Sequence, residues 1–397
     1  MKDRCRVLMV ASLSRRGNGP AAYVPDLVNS IKDITNSIAI DVFVSAPNVS
    51  LTTREIHCDT IFNPKVGFFA SLMMKIPKVR VLVWDIIRKN AFSRLMNQND
   101  YDCIIFHSVP PETYKLLRIA PRNNTKFILF PWGSEVLRAK GAIKEKVQKA
   151  FNLADYIRGD SCSFITELQS KYPGISENKF VNITYASPGL TFIDKNRDRT
   201  REELINELKL PDNHYYIVCG YNAYSGQQHK RIIEAISTVK DFLPSNYLLV
   251  FPITYGLESG VCEKEIDDWC NMYQLNHLCL TEFMTDSQMA CLHLLTDLFI
   301  HVQLTDVANS FIMESVYAGT TIINGSWLRY PEMEEDRMPY YLCSTIDELP
   351  QTIIQVLKDN PQKGSNQKII KSLSNYTWPS VAERWVEFLK NHIQNNE

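Results

Sequence analysis

The chain has 397 residues, of which 45% are hydrophobic and 22% charged, and its formal net charge at pH 7 is −1. This composition is that of a soluble globular protein, and it excludes the overall positive field of a nucleic-acid-binding domain. The length favours two domains, because single hydrophobic cores rarely grow beyond about 250–300 residues. No apolar run approaches the ~18 residues that a membrane-spanning helix needs.

The cysteine and histidine patterns bear on the cellular compartment and on metal binding. The ten cysteines are scattered, contain no C-x-x-C pair and in several places lie inside apolar runs, which predicts buried free thiols in a reducing cytoplasm. The eight histidines show no metal-ligand spacing. Residues 1–10 are basic and then apolar, but the apolar part is short, so we interpret it as a first strand rather than a signal peptide.

A glycine-containing loop follows the first predicted strand. Residues 6–11 predict that strand, residues 12–20 the loop and residues 21–31 a helix. Glycines after the first strand of an α/β domain let the backbone approach a ligand, which makes Gly17, Asn18 and Gly19 candidates for binding. A plain turn explains the same residues equally well. Residues 39–45 predict the second strand.

The segment 61–96 mixes basic and large apolar residues. It contains seven lysines and arginines against one acid, Asp85, with phenylalanines, methionines and Trp84 interleaved. Such a mixture suits a surface that contacts anionic lipid. A solvated helix pair whose apolar side belongs to the core is the competing interpretation.

Two further strands end at polar or aromatic residues. Residues 101–106 predict a strand followed by His107, and residues 126–130 predict another, followed by 131–135. Ligands bind at the carboxyl ends of parallel strands, so His107 is a candidate site residue; a strand-end histidine bonded to a loop is the alternative. Residues 154–161 predict a strand leading into a helix, and 181–184 another strand. A Pro–Gly pair and a charged stretch then place the domain boundary near 188–195.

The second predicted domain opens with a strand, residues 215–220, and a polar loop, residues 221–228. The helix that follows begins with His229, Lys230 and Arg231. Cations at a helix start oppose the helix dipole, so an anion such as pyrophosphate is expected to compensate them; solvated first-turn cations are the alternative. Strands are predicted at 247–253 and 279–283, and a helix at 286–295.

Residues 298–324 read as strand, loop, helix and strand. Asp306 lies in the loop and Glu314 in the helix, about 12 Å apart along a helix axis, so they cannot share one metal ion. The free N–H groups of the helix start suit a phosphate. Gly319 occupies the position of a helix C-cap glycine. An ordinary N-cap Asp and helix Glu would give the same pattern.

The spacing of Asp306 and Glu314, followed by Ala–Gly and β-branched residues, resembles the E-x7-E region of retaining GT-B glycosyltransferases of the family 4 type. The resemblance implies that Glu314 binds the nucleotide ribose and that Asp306 faces the donor sugar. The backbone N–H groups for the diphosphate then come from Val307, Ala308, Asn309 and Ser310. This chain departs from the family pattern in having Asp as the first acid and no glycines after it.

The resemblance extends to other segments. The helix start at 229 is similar to the family's diphosphate clamp, which implies catalytic roles for Lys230 and Arg231 and a donor contact for His229. The family's acceptor side ends its strands in H-x-H and H-G-x-D/E motifs. Carried over with His107 in the catalytic set, this implies acceptor contacts by Gly133, Ser134 and Glu135. Trp132 is a further acceptor candidate, because a flat apolar ring suits the C–H face of a sugar; filling of the interdomain crevice is the alternative. The nucleotide base would meet Phe283 and Met284, and Gly17, Asn18 and Gly19 would face the donor phosphates. Residues 375–385 resemble the family's closing motif, whose helix crosses back to the first domain.

We therefore predict two Rossmann-like α/β domains facing a cleft, an N-terminal acceptor domain (1–190), a nucleotide-sugar domain (191–376) and a returning C-terminal helix (377–397). The predicted function is transfer of a sugar from a nucleotide diphosphate sugar to a glycan or lipid-linked acceptor in surface polysaccharide synthesis. We expect retention of anomeric configuration, no metal, no nucleic acid, and a cytoplasmic location with peripheral membrane contact through 61–96. The alternatives are an inverting GT-B transferase, a nucleotide-sugar epimerase and a non-catalytic nucleotide-binding protein.

Overall fold

The computed structural model describes residues 4–13, 20–45, 55–121, 124–159, 162–257, 260–305, 310–328, 330, 340–364 and 367–394. The chain divides into two compact units, Met1–Ala186 with Trp378–Glu397, and Ser187–Thr377. Each unit is built on a parallel sheet with helices, which confirms the predicted α/β class.

The first unit contains a seven-stranded parallel sheet in the order β3-β2-β1-β4-β5-β6-β7. Its strands are β1 (Cys5–Ala11), β2 (Ile38–Val44), β3 (Thr60–Phe62), β4 (Cys103–Phe106), β5 (Lys126–Leu129), β6 (Tyr156–Arg158) and β7 (Phe180–Val181). Its helices are α1 (Pro20–Ile34), α2 (Phe68–Met73), α3 (Pro77–Gln98), α4 (Thr113–Leu117), α5 (Ser134–Leu137), α6 (Gly141–Leu153), α7 (Cys162–Lys171) and the C-terminal helix Trp378–Leu389.

Both faces of this sheet are buried, which is why its strands read as unbroken apolar runs. Along β1, Val7 and Met9 belong to one hydrophobic cluster and Leu8 and Val10 to the other. The C-terminal helix packs on α1 in the first of these clusters, where Trp385 is fully buried. This is the predicted return of the last helix to the first domain.

The second unit contains a six-stranded parallel sheet in the order β10-β9-β8-β11-β12-β13. Its strands are β8 (Tyr215–Cys219), β9 (Tyr247–Pro252), β10 (His277–Leu280), β11 (Leu298–His301), β12 (Thr321–Gly325) and β13 (Tyr341–Cys343). Its helices are α8 (Pro188–Asn196), α9 (Arg201–Leu208), α10 (His229–Ser237), α11 (Glu263–Met272), α12 (Asp286–Leu295), α13 (Ser310–Ala318), α14 (Leu349–Asp359) and α15 (Gln367–Leu373).

Local signals account for several boundaries. Helix α13 ends at Gly319, whose φ of 81° is in the left-handed region, as predicted for a C-cap glycine. Two predicted strands are shorter than expected. The strand at 181–184 ends at Val181, because the Ile183 N–H turns back to donate to the Val181 carbonyl at 3.0 Å. The strand at 279–283 is instead His277–Leu280, whose pairing with β9 stops opposite Pro252.

Two further features bear on the sequence analysis. The nine cysteines whose side chains the structure describes are all free thiols, most of them buried. Within the described ranges, no helix has both the length and the apolarity needed to cross a membrane.

Candidate functional site

The candidate site of the second unit lies between β8 and β11, where the order in which the chain adds strands to the sheet reverses. Strands β8 and β11 are neighbours, but the chain leaves β8 toward β9 on one side and leaves β11 toward β12 on the other. Such a switch point opens a crevice at the carboxyl ends of the two strands, and this is where α/β sheets bind ligands. The Leu304 N–H donates to the Gly226 carbonyl at 2.8 Å, so the loops after β8 and β11 lie against each other. This contact joins the loop before the helix start at His229 to Leu304, two positions before Asp306.

A buried polar cluster joins these two loops. The Gln227 side-chain amide donates to the Gln303 side-chain carbonyl at 2.9 Å, and the Tyr221 hydroxyl donates to the same oxygen at 3.3 Å. Trp327 Nε1 donates to the Gln303 backbone carbonyl at 2.7 Å. Within the described chain, Gln303 Nε2 and Gln227 Oε1 are buried without a partner. Buried amides in this state suit a polar ligand. Sequence reasoning missed this cluster, although Gln303 directly follows a buried strand.

Gly220 and His229 face each other across the β8 loop. Gly220 has a φ of 68°, and a Cβ there would lie 3.0 Å from His229 Nε2, so only glycine fits without displacement. His229 is 1% exposed, and among the described residues neither ring nitrogen has a hydrogen-bond partner. Burial lowers the pKa of His229 to about 4. His229 is therefore neutral at pH 7, which corrects the view that all three side chains at this helix start are cations.

Lys230 and Arg231 lie on the surface of α10 with partners on neighbouring elements. Lys230 Nζ is 4.0 Å from Glu234 Oε1 and 5.9 Å from the centroid of the Trp269 ring. Arg231 donates to Asp347 at 2.6 Å. Exposed pairs of this kind are worth about 0–1 kcal/mol, so either side chain can leave its partner at little cost. Their role as a diphosphate clamp remains a prediction.

Glu314 is held in a buried network. It is 7% exposed, and its two carboxylate oxygens accept from Ser187 Oγ at 3.0 Å and His293 Nε2 at 3.2 Å. The other ring nitrogen, His293 Nδ1, is 3.0 Å from Ser315 Oγ, so both ring nitrogens have a polar partner. A Cβ on Gly189 would lie 2.1 Å from Glu314 Cδ. A carboxylate has about four acceptor positions, so two remain beside these bonds.

The remaining donor-side candidates are described in part. Asp306, Val307, Ala308 and Asn309 lie outside the described residues, while Ser310 is exposed at the first position of α13. The next residue, Phe311, stacks on Tyr221 with ring centroids 5.4 Å apart, which fixes the start of α13 against the β8 loop. Beyond β10, Phe283 is 79% exposed and Met284 is half-buried.

In the first unit, His107 follows β4, which lies beside β1 at the switch point of that sheet. It is 1% exposed, and in the part of the chain described here neither ring nitrogen has a hydrogen-bond partner. Phe130, Tyr23 and Trp385 surround the ring at centroid distances of 5.4, 6.0 and 6.3 Å. Burial lowers the pKa of His107 to about 3. It is a neutral imidazole in an aromatic enclosure, and its catalytic role remains a prediction.

The predicted acceptor segment forms a tight local structure. Trp132 Nε1 donates to the His107 carbonyl at 2.9 Å, and its ring is edge-on to Tyr23 at 5.0 Å. The Trp132 N–H donates to Glu135 Oε1 at 2.8 Å, and Gly133 has a φ of 113°. Both side chains thus have structural partners beside any acceptor role. The Ser134 side chain and Gly17, Asn18 and Gly19 fall outside the description.

Within the residues that can be described, no group of three or more His, Cys, Asp and Glu side chains is placed to hold a metal ion.

Comparisons with known proteins place this fold. No protein-family model matches the sequence, and no curated protein is significantly similar to it. The structure is similar to a glycosyltransferase from Rickettsia africae (TM-score 0.65, 14% identity, 100% of both chains covered). It is also similar to the lipopolysaccharide outer core galactosyltransferase WaaB (TM-score 0.61, 11% identity, 96% of this chain and 98% of that chain).

A UDP-GlcNAc 2-epimerase from Neisseria meningitidis, solved bound to UDP-GlcNAc, is similar to the same degree (TM-score 0.62, 14% identity, 97% of this chain and 100% of that chain). At such low identities the likeness defines the fold and no more. The chain therefore has the GT-B fold of glycosyltransferases.

Proposed function

We propose that this protein is a glycosyltransferase that moves a hexosyl group from a nucleotide diphosphate sugar to a glycan or lipid-linked acceptor in surface polysaccharide synthesis. The observation that carries the proposal is the packing of the β8 loop on the β11 loop at the switch point of the second unit. There Gly220 lets the Gln227 and His229 side chains pack close to the backbone, and buried amide atoms of Gln227 and Gln303 lack hydrogen-bond partners within the described chain.

Donor binding is assigned to this crevice. The N–H groups at the start of α13 would meet the diphosphate, because a helix N-terminus carries partial positive charge. Glu314 would accept from ribose hydroxyls with the two acceptor positions that Ser187 and His293 leave free. Exposed Phe283 would lie against the base.

The proposed chemistry is a retaining, metal-independent transfer. The acceptor hydroxyl attacks the anomeric carbon on the face from which the nucleotide diphosphate leaves, and a phosphate oxygen takes the hydroxyl proton. Lys230 and Arg231, released from their surface partners, would stabilise the charge that develops on the diphosphate. Full turnover in the presence of a metal chelator is the corresponding expectation.

A nucleotide-sugar epimerase is the second candidate, because an epimerase shares this fold as closely as the transferases do. The two differ in their products. An epimerase changes the sugar while it remains on the nucleotide and needs no acceptor. NMR of the reaction mixture, with and without acceptor, separates the two and also gives the anomeric configuration of a transfer product.

A peripheral contact with anionic membrane is part of the proposal. The segment 68–86, on α2 and α3, exposes eight large apolar side chains, with Phe68 at 81% and Phe69 at 80%. No Asp or Glu occurs between residues 60 and 84, whereas Lys65, Lys75 and Arg80 do. Apolar groups among uncompensated cations suit a surface of anionic lipid.

The first test is a thermal-shift screen with UDP, GDP, ADP and CDP. A ligand at one hundred times its Kd stabilises the folded state by about 2.7 kcal/mol, which raises Tm by roughly 5–10 °C for a unit of this size. If none of the four nucleotides raises Tm, donor binding in this crevice is wrong.

The second test compares the selected nucleoside diphosphate with its nucleoside by calorimetry. Lys230→Ala should weaken binding of the diphosphate about tenfold and leave the nucleoside unaffected, because it removes only a charge facing phosphate. Glu314→Gln should weaken both ligands. Lys144→Ala, at an exposed position of α6, is the control and should change neither affinity. Equal diphosphate affinity in wild type and Lys230→Ala would remove Lys230 from the site.

A further inference from the structure

An open groove of about 520 Å3 lies in the first unit between the edge strand β3 and helix α3. Its volume is within the roughly 300–1,000 Å3 of small-molecule sites. Phe62, Ile87, Ala91 and Leu95 give it apolar walls. In the sheet order, β3 is separated by β2 from β1, so the groove is apart from the switch point at β1 and β4. The proposed transfer reaction therefore leaves this groove without a role.

Two cations share the groove. Lys65 follows β3, and Arg94 lies on α3 one turn after Asn90. Both side chains are exposed, and no residue that the structure describes forms an ion pair with either. None of the described residues that line the groove is acidic. The positive charge is thus uncompensated within the described lining, which combines apolar side chains with the Asn63, Asn90 and Gln98 amides as further hydrogen-bonding groups.

This combination selects a class of ligand. Apolar walls alone would accept a neutral molecule, and exposed cations alone would attract any small anion. A ligand that uses both must have an acidic group and an apolar chain. Helix α3, which forms one wall, also carries the exposed apolar residues Val81, Leu82 and Ile86 toward its N-terminus. An apolar chain can continue from the groove along this helix.

We propose that the groove is a binding site for an anionic amphiphile. Its phosphate or carboxylate meets Lys65 and Arg94, and its apolar chain lies along Phe62, Ile87 and Ala91. A membrane lipid and a free single-chain phosphate share this chemistry. The site is independent of the nucleotide crevice and of the proposed transfer reaction.

Calorimetric titration with decyl phosphate, kept below its micelle concentration, tests the site. Decyl phosphate is expected to bind at least tenfold more tightly than inorganic phosphate or the neutral decyl maltoside. Lys65→Gln with Arg94→Gln should weaken decyl phosphate binding about fivefold or more, since two charge-assisted contacts are lost. Both positions are exposed, so the double variant should fold normally.

Lys75→Gln with Arg80→Gln is the matched control, because these exposed cations belong to the same segment but do not line the groove. Binding should stay within twofold of wild type. An equal loss of decyl phosphate affinity in both double variants would show that any surface cation contributes equally, and it would overturn the proposal. Inorganic phosphate or decyl maltoside binding as tightly as decyl phosphate would overturn it as well.

Two further measurements, nucleotide binding and vesicle flotation, complete the experiment. The nucleotide selected by the thermal-shift screen should bind Lys65→Gln/Arg94→Gln as it binds wild type, so a failure of the groove is distinct from a failure of the transferase proposal. Flotation with phosphatidylglycerol vesicles then identifies the source of the amphiphile. Reduced flotation of Arg94→Gln alone, whose residue is not part of the peripheral contact proposed above, assigns the site to membrane lipid, whereas unchanged flotation with lost decyl phosphate binding assigns it to a free amphiphile.

Discussion

Replacing Gly189 with alanine tests whether the Glu314 network is held together by close packing. Gly189 lies in the first turn of α8, and a Cβ there would come within 2.1 Å of Glu314 Cδ and 2.2 Å of Oε1. The φ of Gly189 is not in the left-handed region, so the backbone tolerates alanine. The end of the Glu314 side chain must therefore move.

The size of the effect follows from what that movement breaks. Glu314 accepts hydrogen bonds from Ser187 Oγ and His293 Nε2, and bonds to a charged group contribute about 1.5–3 kcal/mol each. Against this, alanine is favoured over glycine in a helix by about 1 kcal/mol. Gly189→Ala strains or breaks both hydrogen bonds and gains only the higher helix propensity of alanine. It should therefore destabilise the second unit by about 2 kcal/mol or more.

Urea unfolding of four proteins measures this: wild type, Gly189→Ala, Glu314→Ala and the double variant. In the Glu314→Ala background the added methyl group meets no carboxylate, so Gly189→Ala should there be neutral or slightly stabilising. The cycle should give a coupling free energy of about 2–3 kcal/mol between the two positions. A coupling near zero, or a Gly189→Ala protein as stable as wild type, would refute the packing argument.

Two further predictions concern pH and membrane contact. Burial lowers the pKa of His107 from 6.5 to about 3, so the unfolded chain binds the proton more readily, and stability should fall as pH drops below 6.5. Between pH 8 and pH 5 this lowers the free energy of unfolding by about 2 kcal/mol. In denaturant unfolding, His107→Phe should lose about 2 kcal/mol less over this range than wild type; equal losses would show that another group titrates. Phe68→Ser with Phe69→Ser should reduce flotation with phosphatidylglycerol vesicles at least tenfold, because two insertable rings are removed, whereas undiminished flotation would exclude α2 as the contact.

Sequence patterns predicted the backbone of the candidate site well, because the signals are local. The apolar run at 215–220 predicted strand β8 and the polar loop after it, and helix α10 begins at His229, as predicted. Glu314 was correctly placed on a helix between two strands. Periodicity and glycine position decide these features within ten or twenty residues.

Side-chain partners were not predictable in the same way, because they join distant parts of the chain. Arg231 pairs with Asp347, 116 positions away, and nothing near either residue selects the other. Ser187 reaches Glu314 over 127 positions. The sequence offered Pro188 and its neighbouring glycine as a break between domains, and the packing of that glycine on a carboxylate became visible only once α8 and α13 were placed.

The C-terminal helix Trp378–Leu389 belongs to the core of the first unit, although the whole second unit precedes it in the chain. During synthesis the ribosome therefore completes the second unit before it delivers Trp385, the largest side chain fully buried in the protein. Until then Tyr23 on α1, whose ring lies 4.9 Å from that of Trp378, has no cover from that helix. A nascent chain cut short before residues 378–389 would therefore lack this part of its first core and present the apolar surface to chaperones and proteases.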